Sequence, residues 1–270
     1  MKILVTGATG KVGQKFLEQL SCSELMKNAS AVALCHNRLI NPTEKISVVK
    51  GSIADKDTDD SATDGVTHDV HLDTCKETPS NVMDVTVKGL FWLLVACREK
   101  NDFEQFLLIG GDAGMGHFFY PHPIPVTETQ KHSAYPGCYA LSKVLEEVML
   151  EQYQIQYSLP STCLRAPWIM EKDDFKYSLS FGDDVFGGPV WKDLVSEELA
   201  RRYKEAGNIP LMLNDNGEPI KRNFIHVDDL VQAIMQAILL PDKANENTFN
   251  ISMDTPVDLS LIHISEPTRP

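Results

Sequence analysis

In the stretch YPGCYALSK, Tyr139 and Lys143 stand four residues apart. On a helix that spacing puts both side chains on one face. A tyrosine phenol has an ordinary pKa of about 10, too high for a base at neutral pH. A neighbouring ammonium favours the phenolate and lowers that value. The pair can therefore take a proton from a substrate hydroxyl, or return one. Tyrosine and lysine at this spacing also occur by chance on ordinary surface helices. The pair gains meaning only from what surrounds it.

A second local pattern points to the same kind of chemistry. VTGATGKVGQKF places Gly7, Gly10 and Gly13 after a short apolar run and before a helical one. Backbone N–H groups at a helix N-terminus bind pyrophosphate, and glycines let phosphate and helix approach the turn. The spacing is G-x-x-G-x-x-G, one residue longer than the dinucleotide fingerprint. An ordinary βα turn is the plain alternative; the placement between strand and helix favours the dinucleotide. Gly7, Thr9, Gly10, Lys11, Val12 and Gly13 are the expected contacts. The second strand ends ALCHNR. A carboxylate there would bond a ribose 2′-hydroxyl, and an arginine would accommodate a 2′-phosphate. His36, Asn37 and Arg38 stand there instead of an acid, so the expected NAD(P) cofactor leans to NADP.

These residues need a frame to position them. KILVT (2–6), AVALC (31–35), ISVVK (46–50), VHL (70–72), FLLIG (106–110) and STCLRA (161–166) read as strands. Residues 11–20, 80–99 and 139–155 carry apolar side chains at helical spacing. Strands alternating with helices predict an α/β fold, a doubly wound parallel sheet of Rossmann type. From residue 167 the chain turns polar and glycine-rich. A charged helix is expected over 192–206, then a short apolar run IPLML. NFIHVDDLVQAIMQAIL follows, strand-like at its start and helical after. The expected organisation is a dinucleotide domain at 1–166 and a small substrate lobe mixed with returning sheet elements at 167–258.

Bulk composition narrows the partners. The 270 residues hold 25 Lys plus Arg against 38 Asp plus Glu, a net charge of −13. No basic block opposes that acidity, so nucleic acid and anionic membranes are poor partners. Six scattered cysteines without a C-x-x-C pair suit a reduced, cytoplasmic protein. The eight dispersed histidines predict no metal cluster. MKILVTG is too short an apolar start for a signal peptide. The expected partner is a small-molecule substrate.

TGATGKVG, YALSK and RNFIHVDDL together resemble the extended short-chain dehydrogenase/reductase family, of the NAD-dependent epimerase/dehydratase type. The likeness runs over about residues 1–255. It implies Tyr139 as general acid/base, with Lys143 lowering its pKa and holding the nicotinamide ribose. VHLDTCK resembles the cofactor-contacting fourth strand, which implies Leu72, Asp73 and Lys76 near the cofactor. GSIAD resembles the segment approaching adenine, with Ser52 and Ile53. CLRAPWI resembles the strand and loop beside the nicotinamide, with Pro167 on the cofactor and Trp168 toward substrate. Arg222 matches the neighbourhood of a nucleotide-sugar diphosphate, and His117 of GHFFYPHP lies in a substrate-loop position. Packing or a solvated charge is the bland alternative for each of these substrate candidates. The resemblance implies hydride chemistry on a hydroxyl or keto carbon of a sugar or nucleotide sugar, in a homodimer joined through two helices per subunit. A simple dehydrogenase of a uronate-like substrate and a non-catalytic cofactor sensor are the alternatives.

The chain departs from that pattern in several places. The family usually carries Ser or Thr just after the fifth strand, to hold the reacting oxygen. Here Gly110, Gly111 and Asp112 stand there. An ionised Asp112 accepts hydrogen bonds and donates none. It suits a substrate hydroxyl and repels an oxyanion, or it caps a turn. Asp69 and Asp73 occupy a usually apolar strand, Thr86 stands where Asn is common, and Asn223 replaces a common Asp. The final LSLIHISEPTRP (259–270) resembles translated sequencing-adapter read-through. It is expected to be a non-native tail on a gene that continues further.

Overall fold

The strands are rich in aliphatic and β-branched residues, which fit a buried pleated surface. They are β1 (Lys2–Val5), β2 (Ser30–Cys35), β3 (Ile46–Lys50), β4 (His68–His71), β5 (Gln105–Gly111), β6 (Ser161–Ala166), β7 (Trp168–Met170), β8 (Lys221–Arg222), β9 (Phe224–His226), β10 (Asn247–Asn250) and β11 (Val257–Asp258). The structure, a computed structural model, describes all residues except Glu77, 117–119, Pro121, Ile124, 175–178, 183–189, Asp215 and 261–270. His117 and most of the expected non-native tail thus lie outside the described residues.

Seven strands form one sheet in the order β10-β6-β5-β4-β1-β2-β3. Every pairing in it is parallel. The order runs outward in both directions from β1 and β4, the Rossmann arrangement. Such a sheet opens a crevice at the carboxyl ends of its strands, at that reversal. The expected fold class is therefore the one observed.

The described helices are α1 (Lys11–Cys22), α2 (Lys56–Ala62), α3 (Pro79–Asn81), α4 (Leu90–Arg98), α5 (Cys138–Tyr157), α6 (Glu197–Glu205), α7 (Val227–Leu239) and α8 (Pro241–Ala244). A π-helical stretch, Val82–Gly89, joins α3 to α4. On one face of the sheet, α1 buries Phe16, Leu17 and Leu20 and neighbours α7. On the other, Leu90, Leu93, Leu94 and Leu150 of α4 and α5 pack with Leu4, Val32, Phe106 and Leu108. Burial of each such side chain stabilises the fold by roughly 1.5–3 kcal/mol. The continuous helix Pro79–Arg98 is long and apolar enough to cross a membrane, yet half of its apolar window is buried inside the fold.

Several elements differ from the sequence expectation, and three of them show the physical reason. β4 spans His68–His71 rather than 70–72, and all four of its residues are buried. It is an inner strand, between β1 and β5, of a parallel sheet with helices on both faces, so both of its faces are covered and no polar alternation marks it. Short, polar α2 shows no apolar stripe; the Asp55 carboxylate caps it by accepting from Asp57 N–H. The charged segment divides into a 3-10 turn, Trp191–Leu194, and α6, which the Ser196 hydroxyl caps.

Asp69 in β4 is fully buried together with Asp59 of α2. Among the described residues neither carboxyl has a hydrogen-bond partner. Burial pushes Asp59 up to about 8, helped by Asp60 and Asp55. Burial and then the nearby Asp59 hold Asp69 well above the usual carboxylate range. Burial thus favours the neutral form of Asp69, the lower-cost one for an unpaired buried carboxyl.

The chain divides into two compact units. The first comprises residues 1–166 and 227–251, the second residues 167–226 and 252–270. In the second, β7 pairs with β9 in parallel and β8 with β11 antiparallel. Met170, Phe224 and Leu259 form its small apolar core.

Candidate active site

The glycine loop leaves the C-terminal end of β1 and enters α1. Gly7 has φ +61°, a left-handed conformation that costs glycine little. A Cβ there would lie 2.9 Å from the Leu72 carbonyl carbon. At Gly13 a Cβ would lie 2.5 Å from the Gly7 carbonyl oxygen, so only glycine lets α1 close onto the turn. Gly10 is the N-cap of α1; no side chain bonds the cap, and the first turn has no acid. Lys11 opens that turn, with Val12 after it. An uncapped helix N-terminus fronted by glycines suits a diphosphate. The residues present thus fit a dinucleotide.

Arg38 follows β2 and donates from a guanidinium nitrogen to the Thr9 carbonyl at 3.2 Å. Its neighbours His36 and Asn37 are exposed. After β3, Ser52 accepts from Ala54 N–H, and Ile53 is buried against the helix at Gly89. Leu72 and Asp73 donate their backbone N–H groups to the Thr6 hydroxyl oxygen at 3.1 and 3.2 Å. Burial holds the Asp73 carboxyl above the usual range. Lys76 is exposed beyond it. Thr86 accepts from Cys75 N–H at 2.9 Å and anchors the same segment. The π-helical stretch presents Thr86 to it.

Tyr139 and Lys143 sit at the head of α5. Half-buried Tyr139 lies in the first turn and buried Lys143 in the second. The Lys143 ammonium lies 5.9 Å from the Tyr139 ring centroid. It donates to the Ile109 carbonyl at 3.3 Å and pairs with Glu146 at 2.9 Å. Burial opposes its charge, but Glu146 and then Tyr139 outweigh that and hold Lys143 above the ordinary lysine range. One turn further in, Glu147 accepts both Nε and a terminal nitrogen of Arg165 at 3.0 and 2.7 Å. His132 reaches the same carboxylate at 2.8 Å. Burial works against Glu147, yet His132 and Arg165 prevail and hold its carboxyl below the usual range.

Gly110 and Gly111 end β5, and Asp112 opens a 3-10 turn, Asp112–Gly114. The two glycines are not equivalent. A Cβ on Gly110 would lie 2.8 Å from Glu147 Oε1 and 2.9 Å from Cys163 Sγ. On Gly111 the nearest atoms are Lys143 methylenes at 3.5 Å, an ordinary contact. Gly111→Ser is therefore expected to fold with near-unchanged stability, whereas Gly110→Ser should lose about 1–3 kcal/mol through overpacking. Denaturant midpoints check the order, and equal midpoints would contradict it. Gly111→Ser also restores a hydroxyl at the strand end, so its turnover shows whether that position serves as space or merely lacks a donor.

The first unit thus gathers Gly7, Thr9, Gly10, Lys11, Gly13, Arg38, Leu72, Asp73, Gly111, Tyr139 and Lys143 along the C-terminal edge of the sheet. Pro167 directly follows β6 and begins the second unit. In that unit the Arg222 guanidinium stacks on Trp168, 3.7 Å from the ring centroid. Thr6, His71, Glu146 and the Glu147–Arg165–His132 cluster were not singled out by sequence. Glu146 and Glu147 stand three and four residues after Lys143, so helical spacing alone puts them on its face.

The NAD dependent epimerase/dehydratase family profile matches residues 3–170. A search of curated proteins finds no significant match. Among solved structures, an Agrobacterium tumefaciens short-chain dehydrogenase/reductase superfamily protein with bound NAD aligns at TM-score 0.78 and 22% identity, over 97% of this chain and 80% of that one. The UDP-glucose 4-epimerase of Thermotoga maritima, solved with UDP-glucose, aligns at TM-score 0.74 and 17% identity, over 97% and 80%. A mutated uronate dehydrogenase aligns at 0.67 and 15%, over 94% and 74%. At such identities these structures establish the shared fold.

Proposed function

Because the chain belongs to the NAD-dependent epimerase/dehydratase family, we propose that it oxidises or epimerises a hydroxyl-bearing carbon of a sugar or nucleotide sugar. The observation that carries this is the Lys143 ammonium 5.9 Å from the Tyr139 ring, on the strand edge that the glycine loop opens. The N–H groups at the head of α1 hold the diphosphate. When bound, the dinucleotide supplies the hydride acceptor and donor. Tyr139, as phenolate, accepts the substrate hydroxyl proton and returns it in the reverse direction. Lys143 keeps the phenolate charged and holds the ribose.

NADP is the favoured form in this reading. No carboxylate ends β2, and Arg38 is held over the glycine loop by the Thr9 carbonyl. A homodimer is proposed through α4 and α5, where Phe91, Val148 and Tyr157 are exposed on neighbouring helices. Light scattering should give twice the chain mass; a monomer at micromolar concentration rejects this part. The acidic charge and free thiols support a cytoplasmic setting without nucleic-acid or membrane partners.

A panel of sugars, uronates and nucleotide sugars with NAD and NADP tests the proposal. Nicotinamide absorbance and product analysis are read together. Stoichiometric cofactor consumption identifies a simple dehydrogenase; product without net consumption identifies an epimerase. The glycines at 110 and 111 favour one further reading, a cofactor sensor without turnover. Turnover of any substrate retires it.

A further inference from the structure

Lys143 does not stand alone beneath Tyr139. Its ammonium pairs at 2.9 Å with Glu146, whose side chain has no solvent exposure. The other Glu146 oxygen faces His71 Nε2 at 4.0 Å, and His71 is also buried. His71 Nδ1 is 3.0 Å from the Thr6 hydroxyl. That hydroxyl oxygen already accepts two backbone N–H groups, from Leu72 and Asp73. Both of its lone pairs are therefore used, and its own hydrogen is left to donate to His71 Nδ1. Nδ1 is then the acceptor, so the neutral ring carries its proton on Nε2, toward Glu146. Burial and then Lys143 push His71 down to about 3, which keeps the ring neutral.

Glu146 thus has an ammonium on one side and an imidazole N–H on the other. The groups facing this cluster are Tyr139 and Glu147 on α5, Asp73 after β4, and Cys163 on β6. Glu147 is itself paired with Arg165 and His132, so Glu146 is the carboxylate that answers Lys143. A short buried ion pair partly cancels the field that the ammonium exerts on a third group. We propose that Glu146 is a positioning residue, which draws the Lys143 ammonium to the buried side of α5 and so sets how strongly it acts on the Tyr139 phenol. This rests on Tyr139 and Lys143 forming the proton-handling pair.

The sign follows from charge. A carboxylate beside Lys143 weakens the positive field at Tyr139, so removing it should make the phenol more acidic. The experiment is a tyrosinate absorbance titration of the whole protein, with the Tyr139→Phe trace subtracted to isolate that phenol. Glu146→Gln should lower the Tyr139 midpoint by about one pH unit. Glu146→Asp, which keeps the charge but withdraws it by one methylene, should fall between. A midpoint unmoved in Glu146→Gln, with circular dichroism and dinucleotide binding intact, overturns the proposal. Should Glu146→Gln not fold, an unmoved midpoint in Glu146→Asp overturns it equally. The titration needs no substrate, so a failure of the catalytic assignment leaves this result readable.

Discussion

Tyr139→Phe is expected to lower turnover by about 10²–10⁴-fold, the usual contribution of a positioned acid/base group. The substitution removes one hydroxyl from a half-buried ring and leaves the glycine loop, Arg38 and Lys143 in place. Cofactor affinity should therefore change by less than about threefold, since the diphosphate contacts are untouched. The expected pattern is a fall in kcat with dinucleotide binding preserved. Kinetics with the best substrate from the panel, beside a fluorescence titration of the cofactor, measure both halves. Full activity in the variant would remove Tyr139 from the chemistry.

The largest stability effect should come from Arg165→Met. Arg165 bridges two oxygens of buried Glu147 and also donates to Asn250 Oδ1 at 3.1 Å. Its removal strands a buried carboxylate, with His132 as the remaining partner, at a cost of about 3–5 kcal/mol. Removing both charges, as Glu147→Leu with Arg165→Met, should cost less than the single change, because no uncompensated charge remains. Urea midpoints of the single and double variants decide this. A single variant within about 1 kcal/mol of the parent would mean the pair is solvated in solution. The sign with pH is fixed by Glu147, whose folded pKa is depressed. Its contribution is present above the ordinary value of 4.5 and is lost as pH falls through the folded one. The gap between parent and Arg165→Met should therefore close in acid.

Much of the frame was legible because its signals are local. β1, β2, β5 and β6 are apolar runs, and the glycine loop and the Tyr139–Lys143 spacing each fit within a dozen residues. β4 was blurred because His68, Asp69 and His71 are polar side chains buried on the two covered faces of an inner strand. α2 and β10 were missed because their residues, KDTDDSA and NTFN, carry no apolar period. The cluster beneath Lys143 was hidden for another reason. Thr6 and His71 are 65 residues apart and meet only where the ends of β1 and β4 come together. Glu146 was visible at helical spacing, but an acid there reads as a solvated charge until the sheet is seen to cover it. In the second unit, the pairing of β7 with β9 sets Trp168 opposite Phe224, two residues after Arg222, and no local pattern announces the stack that results.

The central claim is that this site moves hydride between a nicotinamide and a substrate carbon. The most direct measurement follows deuterium placed on the reacting carbon of a nucleotide sugar or uronate from the panel, by mass spectrometry for its whereabouts and by NMR for the configuration of the carbon that bears it. The account predicts that the label leaves that carbon in the parent protein. It should appear on the nicotinamide for a dehydrogenase, or return to the sugar with inverted configuration for an epimerase. Both transfer to the nicotinamide and inversion of the labelled carbon should vanish in Tyr139→Phe. Label that stays on that carbon with its configuration unchanged across the whole panel, while the dinucleotide remains bound, would contradict the account and leave a protein that binds its cofactor without using it.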